Sequence, residues 1–453
     1  MPEPGYDLEA LRAHVSTCMR CGNCQAVCPV YKETHREAAV ARGKVAIAAA
    51  LLNGEIEPDD EALRQLDLCL TCTACVAGCP SGVRIDEVIL AARAEVVRRR
   101  GVSPAVAAAF AAVKRPKVLK AGAAAAARLQ DLAFAPGPDA GLGVPRLAVP
   151  GMGKPVLPRL PDRPLGPTDG SAGTLGPDAR RVVFYAGCMI TYVYPGIGRA
   201  LVAALGTAGI EVALPAENHC CGVPMLMHGD MDTARALARD LVRTLEDMHG
   251  EAVLTACPTC GSALKHFIPT LLADDPEWGP RAETLAQRAA DATEYLAERV
   301  ELPAASAPAG PRVTYHDPCH LARGQGVRSQ PRELITGVAG HELVELASAE
   351  ACCGGAGSFL LTHAALSAKI GARKAAEVAA TGAEVVVTSC PGCRMQLTDS
   401  LRRRGMDQRV CHTVELVAEA LARDASSGTG RRPATAAAAP PAPVPTTPAV
   451  PHL

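Results

Sequence analysis

The chain has 453 residues, of which 48% are hydrophobic, 21% charged and only 3% aromatic, with a formal net charge of −1. That length predicts two to four domains with real cores. The near-neutral charge and scarce aromatics exclude a nucleic-acid binder and a partner of anionic membrane surfaces, and the outlier is cysteine, at 19 residues.

The N-terminal stretch MPEPGYDLEA is acidic and lacks an apolar h-region, so no secretory signal is expected. The longest apolar run, 105–113, falls well short of the roughly 20 residues that span a bilayer. The expectation is a cytoplasmic protein without a transmembrane segment, any membrane association being peripheral, on the inner face and through partners. In that reducing setting, clustered cysteines read as metal ligands or redox groups ahead of disulfides.

Residues 1–100 hold two cysteine-dense knots, CMRCGNCQAVCP and CLTCTACVAGCP. Between them, REAAVARGKVAIAAALLNG has a helical pattern closed by Gly54. Each knot reads C-x-x-C-x-x-C-x-x-x-C-P. Two-residue gaps let three thiolates wrap one cubane, while the fourth cysteine, followed by proline, turns toward the other cluster. The pattern therefore predicts a two-cluster 4Fe–4S ferredoxin-type domain. Cys18, Cys21, Cys24 and Cys79 would hold one cluster; Cys69, Cys72, Cys75 and Cys28 would hold the other. Structural zinc prefers two C-x-x-C pairs and fits this spacing poorly.

Residues 101–180 divide into an Ala-rich, basic helical segment and a Pro/Gly-dense stretch from 136, expected as a linker or an extended wrap over the surface. EVVRRR before Gly101 reads as a solvated helix end. Residues 424–453 are rich in Ala, Pro, Ser and Thr without periodicity, and are expected to be a disordered tail.

Between them lies an internal duplication, 181–300 and 301–423. RRVVFYAGC matches PRVTYHDPC, ENHCCGVP matches EACCGGAG, and EAVLTACPTC matches EVVVTSCPGC. Five cysteine anchors share one offset, which marks two copies of one unit. β-rich runs at 182–185, 252–255, 313–315 and 384–388 alternate with helical segments, an α/β pattern. Cys188, Cys257, Cys319 and Cys390 each follow such a run. In an open parallel sheet the strand carboxyl ends converge on one crevice, so each copy's cysteines should gather.

Each copy offers one lone cysteine, an adjacent pair and a C-x-x-C: Cys188, Cys220, Cys221, Cys257 and Cys260, then Cys319, Cys352, Cys353, Cys390 and Cys393. A cubane needs four terminal thiolates, so the fifth implies a spare redox thiol or a bridging one. Adjacent cysteines serve a single tetrahedral zinc poorly. Purely structural burial would tolerate Ala, Ser or Val at these positions, yet both copies keep all five. Cys411 alone is left over; its apolar, helical context reads as structural.

Two ferredoxin motifs followed by two C…CCG…C-x-x-C repeats resemble the iron–sulfur subunits of glycolate oxidase. The order is also similar to the iron–sulfur subunits of lactate-utilisation and anaerobic glycerol-3-phosphate dehydrogenase systems, and to heterodisulfide reductase. The resemblance spans residues 10–420. It implies an α+β and α/β fold: a helical ferredoxin-like domain, then two tandem α/β cysteine-rich (CCG) repeats. It implies up to two further 4Fe–4S clusters in the repeats, which could be non-cubane. It also implies an electron-transfer role beside an FAD-containing 2-hydroxyacid dehydrogenase subunit, with quinone or another acceptor downstream. The alternative from the same resemblance is a thiol–disulfide reductase acting at one repeat; a cluster-bearing scaffold is the third reading.

GIGRAL (Gly196, Gly198) is only a partial dinucleotide fingerprint, with Leu201 at the third glycine position, and reads as a helix N-terminus. Cluster chains pass single electrons, so a two-electron partner is needed. No residue of this chain is assigned as catalytic. His219, His316 and His320 flank motif cysteines and are expected to tune a cluster through hydrogen bonds more than to ligate it. Asp317 reads as a turn residue before Pro318. Gly222, Gly354, Gly355 and Gly357 would allow close backbone approach.

Overall fold

The computed structural model describes residues 6–139, 141–171, 173, 176, 179–305 and 310–426. In the N-terminal region, the helices Ala41–Leu52 and Ile85–Arg100 pack their apolar faces together through Val45, Ala48, Val88, Ile89 and Ala92, with Leu11 and Leu66 closing the core. Asp59 caps the helix Asp60–Asp67, its Oδ1 accepting from the Ala62 N–H at 2.8 Å. Arg98 and Arg99 pair with Glu95 and Arg100 with Asp60 at the solvated end of the long helix. The two cysteine knots occupy the loops and short turns between these helices.

Proline opens the helices Pro104–Val113 and Pro116–Ala133, where its missing N–H costs nothing. The Pro/Gly-dense stretch then forms a small antiparallel sheet of β1 (Phe134–Pro136), β2 (Leu142–Pro145) and β3 (Leu157–Pro158). It runs across both repeats. The Val156 N–H donates to Asp399 Oδ1 at 2.7 Å, Asp139 pairs with Arg394, and Ser171 exchanges two hydrogen bonds with Val212. Leu165 seats over Gly198, where a Cβ would lie 2.4 Å from its Cδ2. That glycine therefore serves packing, and GIGRAL opens the helix Pro195–Thr207.

Each repeat is a parallel sheet flanked by helices. The first has β4 (Arg181–Phe184), β5 (Glu211–Ala213), β6 (Val253–Thr255) and β7 (Ala289–Asp291) in the order β5-β4-β6-β7. The second has β8 (Val313–His316), β9 (Val385–Thr388) and β10 (Arg409–His412) in the order β10-β9-β8. β9 is buried at every position, as a parallel strand covered on both faces must be. Where the first copy has β5, the second keeps one bridge, Val313 to Leu343. The fold is thus a helical ferredoxin-type region followed by two α/β repeats.

The repeats exchange helices reciprocally. Pro195–Thr207 of the first packs on Thr413–Ser426 of the second, and Ser329–Glu333 of the second packs on Ala292–Arg299 of the first. The C-x-x-C helix of each copy also lies against the helix that starts at the other's first cysteine: Pro258–Ser262 on Cys319–Ala322, and Pro391–Arg402 on Gly187–Tyr192.

Two expectations are revised. Cys411 sits in strand β10, paired with Val387 of β9, not in a helix; it is fully buried among Val313, Tyr315 and Val387. The final helix runs through Ser426, so helical structure extends into the segment expected as tail; the rest of that tail, 427–453, lies outside the described residues.

Candidate iron–sulfur centres

All 18 motif cysteines are free thiols, and they fall into four groups. Cys28, Cys69, Cys72 and Cys75 line one cavity of the N-terminal region. Cys18, Cys21, Cys24 and Cys79 line the neighbouring one, with Cys75 between the two. The crossed sets come from the fourth cysteine of each knot. After Cys28 the helix Pro29–Thr34 carries the chain away, so the Cys28 thiol faces the other knot and accepts from the Tyr31 N–H at 3.5 Å. Cys69 accepts from the Thr71 N–H at 3.3 Å. Such N–H···S bonds favour charge on sulfur, the form that binds iron.

The electrostatics fit an anionic guest. Burial, with Cys69 and Cys72 nearby, pushes the Cys28 thiol up to about 11, and burial also raises Cys75 well above the ordinary thiol value. These thiols resist ionising until a cation partners them. Lys44 is buried at 1% exposure beside Cys69, Cys28 and Cys75, donating to the carbonyls of Ala39 and Ala38. Among the described residues it has no carboxylate partner. Asp86 lines the same cavity, and its Oδ1 is buried and unpartnered. A buried cation in no direct ion pair suits a site that receives a negative group. Arg42, on the same helix, faces the first knot and donates to Arg20 O at 2.9 Å. The sequence held a signal for both: cations in the first turn of a helix oppose its dipole, and need another reason to be there.

In the repeats the thiols form two equivalent chains of contacts. One runs Cys188, Cys220, Cys221, Cys260, Cys257; the other runs Cys319, Cys352, Cys353, Cys393, Cys390. In both, the second cysteine of the adjacent pair is held below the ordinary thiol value by its sulfur neighbours; in the first repeat Cys257 is lowered too, through Cys260. Cys220 and Cys260 hold Cys221 down at about 5, and Cys352 and Cys393 hold Cys353 well below the ordinary thiol value. Gly222 and Gly354 follow at φ +78° and +91°, a turn that L side chains rarely adopt. It aims the Gly354 N–H at Cys352 Sγ, 3.4 Å away. Sequence reasoning overlooked Gly187: at φ +64°, a Cβ there would lie 2.7 Å from Cys260 Sγ.

HDPCHLARG resolves into distinct tasks. His316 Nδ1 donates to Ala349 O at 3.1 Å, and its ring is grouped with Cys353 and Cys393 rather than with its neighbour Cys319. Asp317 is buried and forms a two-pronged ion pair with Arg332, both contacts at 2.9 Å. His320 and Arg323 reach across to the second cysteine knot. His320 Nε2 donates to Thr71 O at 3.1 Å, and burial holds this imidazole below its ordinary value. Arg323 donates twice to Cys72 O, at 3.0 and 2.8 Å, and once to Glu350 O at 2.9 Å. Between these clamps the Cys72 and Cys352 side chains pack against each other. A core of Val30, Ala39, Leu70, Cys72, Phe359 and Ile370 surrounds the contact. The second knot therefore adjoins both the first knot, through Cys75, and the second repeat, through Cys72, while Arg93 bridges its Cys69 carbonyl to Met227 O of the first repeat. Cys21 and Cys188 are the exposed cysteines.

Comparison with known proteins agrees with this geometry. Residues 14–83 match the 4Fe-4S dicluster domain family, and 182–265 and 313–398 each match the cysteine-rich domain family CCG. A probable glycolate oxidase iron–sulfur subunit of Bacillus subtilis is 32% identical over 418 residues, covering 89% of this chain and 93% of its own. The chain belongs to this family of iron–sulfur subunits. One of the subunits of the fumarate reductase (CoM/CoB) of Methanothermobacter marburgensis is 29% identical over 93% of this chain and 75% of its own. A lactate utilization protein A of Exiguobacterium sp. is 29% identical over 52% of this chain and 97% of its own. As a family member, the chain is an oxidoreductase subunit that carries iron–sulfur clusters and transfers electrons. Among the described residues no helix is long and apolar enough to cross a membrane.

Proposed function

We propose that this iron–sulfur subunit serves a 2-hydroxyacid oxidase complex, acting on glycolate or lactate. It would take electrons from an FAD-containing partner and hand them toward quinone or another acceptor. The Cys72–Cys352 contact carries the reading, because it joins the ferredoxin-type half to the repeats without an intervening gap. The cysteine sets given above would hold four 4Fe–4S clusters, supplying one-electron steps. The protein's own part is to fix their spacing: Arg323 and His320 clamp the knot backbone, and buried apolar side chains exclude water from the junction. The domain limits proposed are 1–100, 181–300 and 301–423, with 101–180 as the strap that ties them.

The test is co-purification of the chain in its native complex, followed by iron analysis and substrate-induced flavin bleaching. The reading expects about 16 iron atoms per chain with all four sites filled, against about 8 if only the knots are filled. Hydroxyacid oxidation by the isolated chain, with no flavoprotein present, would overturn it. A second reading, thiol–disulfide reduction at a repeat, is supported by two complete repeats and by the similarity to the CoM/CoB fumarate reductase chain. It requires the second repeat's spectroscopic signal to respond to an added disulfide, and to stop responding in Cys353→Ser.

A further inference from the structure

The two repeats keep identical cysteine sets, yet their surroundings differ at one buried position. His316, at the end of β8, occupies the place held in the first copy by Tyr185, just past the end of β4. Both side chains are fully buried beside their cysteines. The Tyr185 hydroxyl donates to His219 O at 2.8 Å, which fixes the phenol on the backbone. His316 is fixed differently. Its Nδ1 lies 3.1 Å from Ala349 O, and a carbonyl can only accept, so Nδ1 carries the proton. Its other nitrogen, Nε2, is turned to the Cys353 thiol, with which the ring is hydrogen-bonded.

Among the described residues, His316, Cys353 and Cys393 are the one set of three ligand-type side chains whose donor atoms all lie within 4.8 Å of one another. An imidazole with one nitrogen tied to a backbone carbonyl and the other turned to cysteine sulfurs is the arrangement in which histidine binds metals. The first copy also has a histidine, His219, but it is not part of any such set; its Nε2 is turned 3.8 Å from the Glu217 carboxylate.

We propose that His316 Nε2 is a metal ligand of the second repeat, making that centre a mixed imidazole–thiolate site while the first is all-thiolate. This rests on the reading that the repeats hold iron–sulfur clusters. Ligation uses the lone pair of the neutral ring and moves no proton, since Nδ1–H stays on Ala349 O. The second copy keeps all five thiols, so the imidazole is added to the same sulfur set and replaces none of it.

The experiment is pulsed EPR on the full-length, cluster-loaded protein, unlabelled and with 15N-histidine, poised where the repeat centres are paramagnetic. Iron analysis and a thermal melt accompany each variant. Expected is a nitrogen coupling of the size of directly bound imidazole that changes with the isotope. It should vanish in His316→Leu and persist in His219→Leu, with the iron content of each unchanged. Tyr185→His, the reciprocal change, should add a second such coupling. If His316→Leu fails to fold, the isotope-sensitive coupling of the wild-type and its survival in His219→Leu still decide. A filled second repeat with no bound-imidazole coupling, or a coupling unaltered in a folded His316→Leu, would overturn the proposal. A shortfall of iron in the repeats of the wild-type protein would instead defeat the cluster reading itself.

Discussion

Replacing Lys44 with methionine should lower the reduction potential of the cluster held by Cys28, Cys69, Cys72 and Cys75. The ammonium is 1% exposed, lies beside three of those cysteines and has no carboxylate partner among the described residues. Its charge therefore acts on the site, offset in part by the Asp86 carboxylate that lines the same cavity. Reduction adds one negative charge, which a nearby cation stabilises, so removing the cation makes reduction harder. A unit charge in van der Waals contact with another is worth about 1 kcal/mol at the dielectric of water and about 4 kcal/mol near a protein surface, which brackets the loss at roughly 40–170 mV for a one-electron couple. EPR-monitored redox titration of wild-type, Lys44→Met and Lys44→Arg measures it. The arginine variant should recover most of the shift, and the neighbouring cluster of the first knot should move much less. A fall under about 20 mV, or a rise, would refute the electrostatic reasoning.

Arg323→Ala removes three hydrogen bonds from a guanidinium that is almost fully buried, two to Cys72 O and one to Glu350 O; a loss of about 2–4 kcal/mol is expected in denaturant unfolding. Gly187→Ala should cost the first repeat its iron, about four atoms per chain, while leaving the second repeat filled, because the new methyl meets Cys260 Sγ. His412 is buried and neutral, its Nδ1 accepting from the Val414 N–H and its Nε2 donating to Ala256 O of the other repeat. Burial drives it down to about 4, so its contribution is complete above pH 6.5 and is lost as pH falls toward 4, by up to about 3 kcal/mol. A Tm series between pH 7.5 and 4, compared with His412→Gln, reads it. Asp291 holds the matching place in the first copy with the opposite sign: burial raises it to about 6, so its favourable share is full below pH 3.8 and gone once pH passes 6. Asp291→Asn should therefore raise the Tm at pH 7.5, and an unchanged or lower value would contradict the assignment.

Much of this protein is legible in its sequence because thiols are placed by local spacing. Cys18 to Cys28 and Cys69 to Cys79 declare two crossed sets, and the constant offset between Cys188 and Cys319 declares a duplication. The strands that carry Val182, Val253, Val313 and Val386 also announce themselves, being short apolar runs buried on both faces. What stays hidden is non-local. β5 and β7 are three residues each and contain Glu211 and Asp291, so no period marks them. The Pro/Gly-dense stretch looks like a spacer because its partners, Asp399, Arg394 and Val212, lie far along the chain. Sequence proximity puts His316 with Cys319, but a residue at a strand's last position faces the crevice, where a distant loop delivers Cys353 and the helix Pro391–Arg402 delivers Cys393.

The reciprocal helix exchange between the repeats has the form of an isologous dimer written into one chain. In a symmetric pair of separate subunits, each contact occurs twice and each substitution is made twice. Covalent fusion keeps the paired surfaces, Pro195–Thr207 on Thr413–Ser426 and Ser329–Glu333 on Ala292–Arg299, but lifts that constraint. Tyr185 and His316, or Asp291 and His412, could then diverge singly. Two halves that began with the same thiols thus became free to take unlike surroundings within one chain.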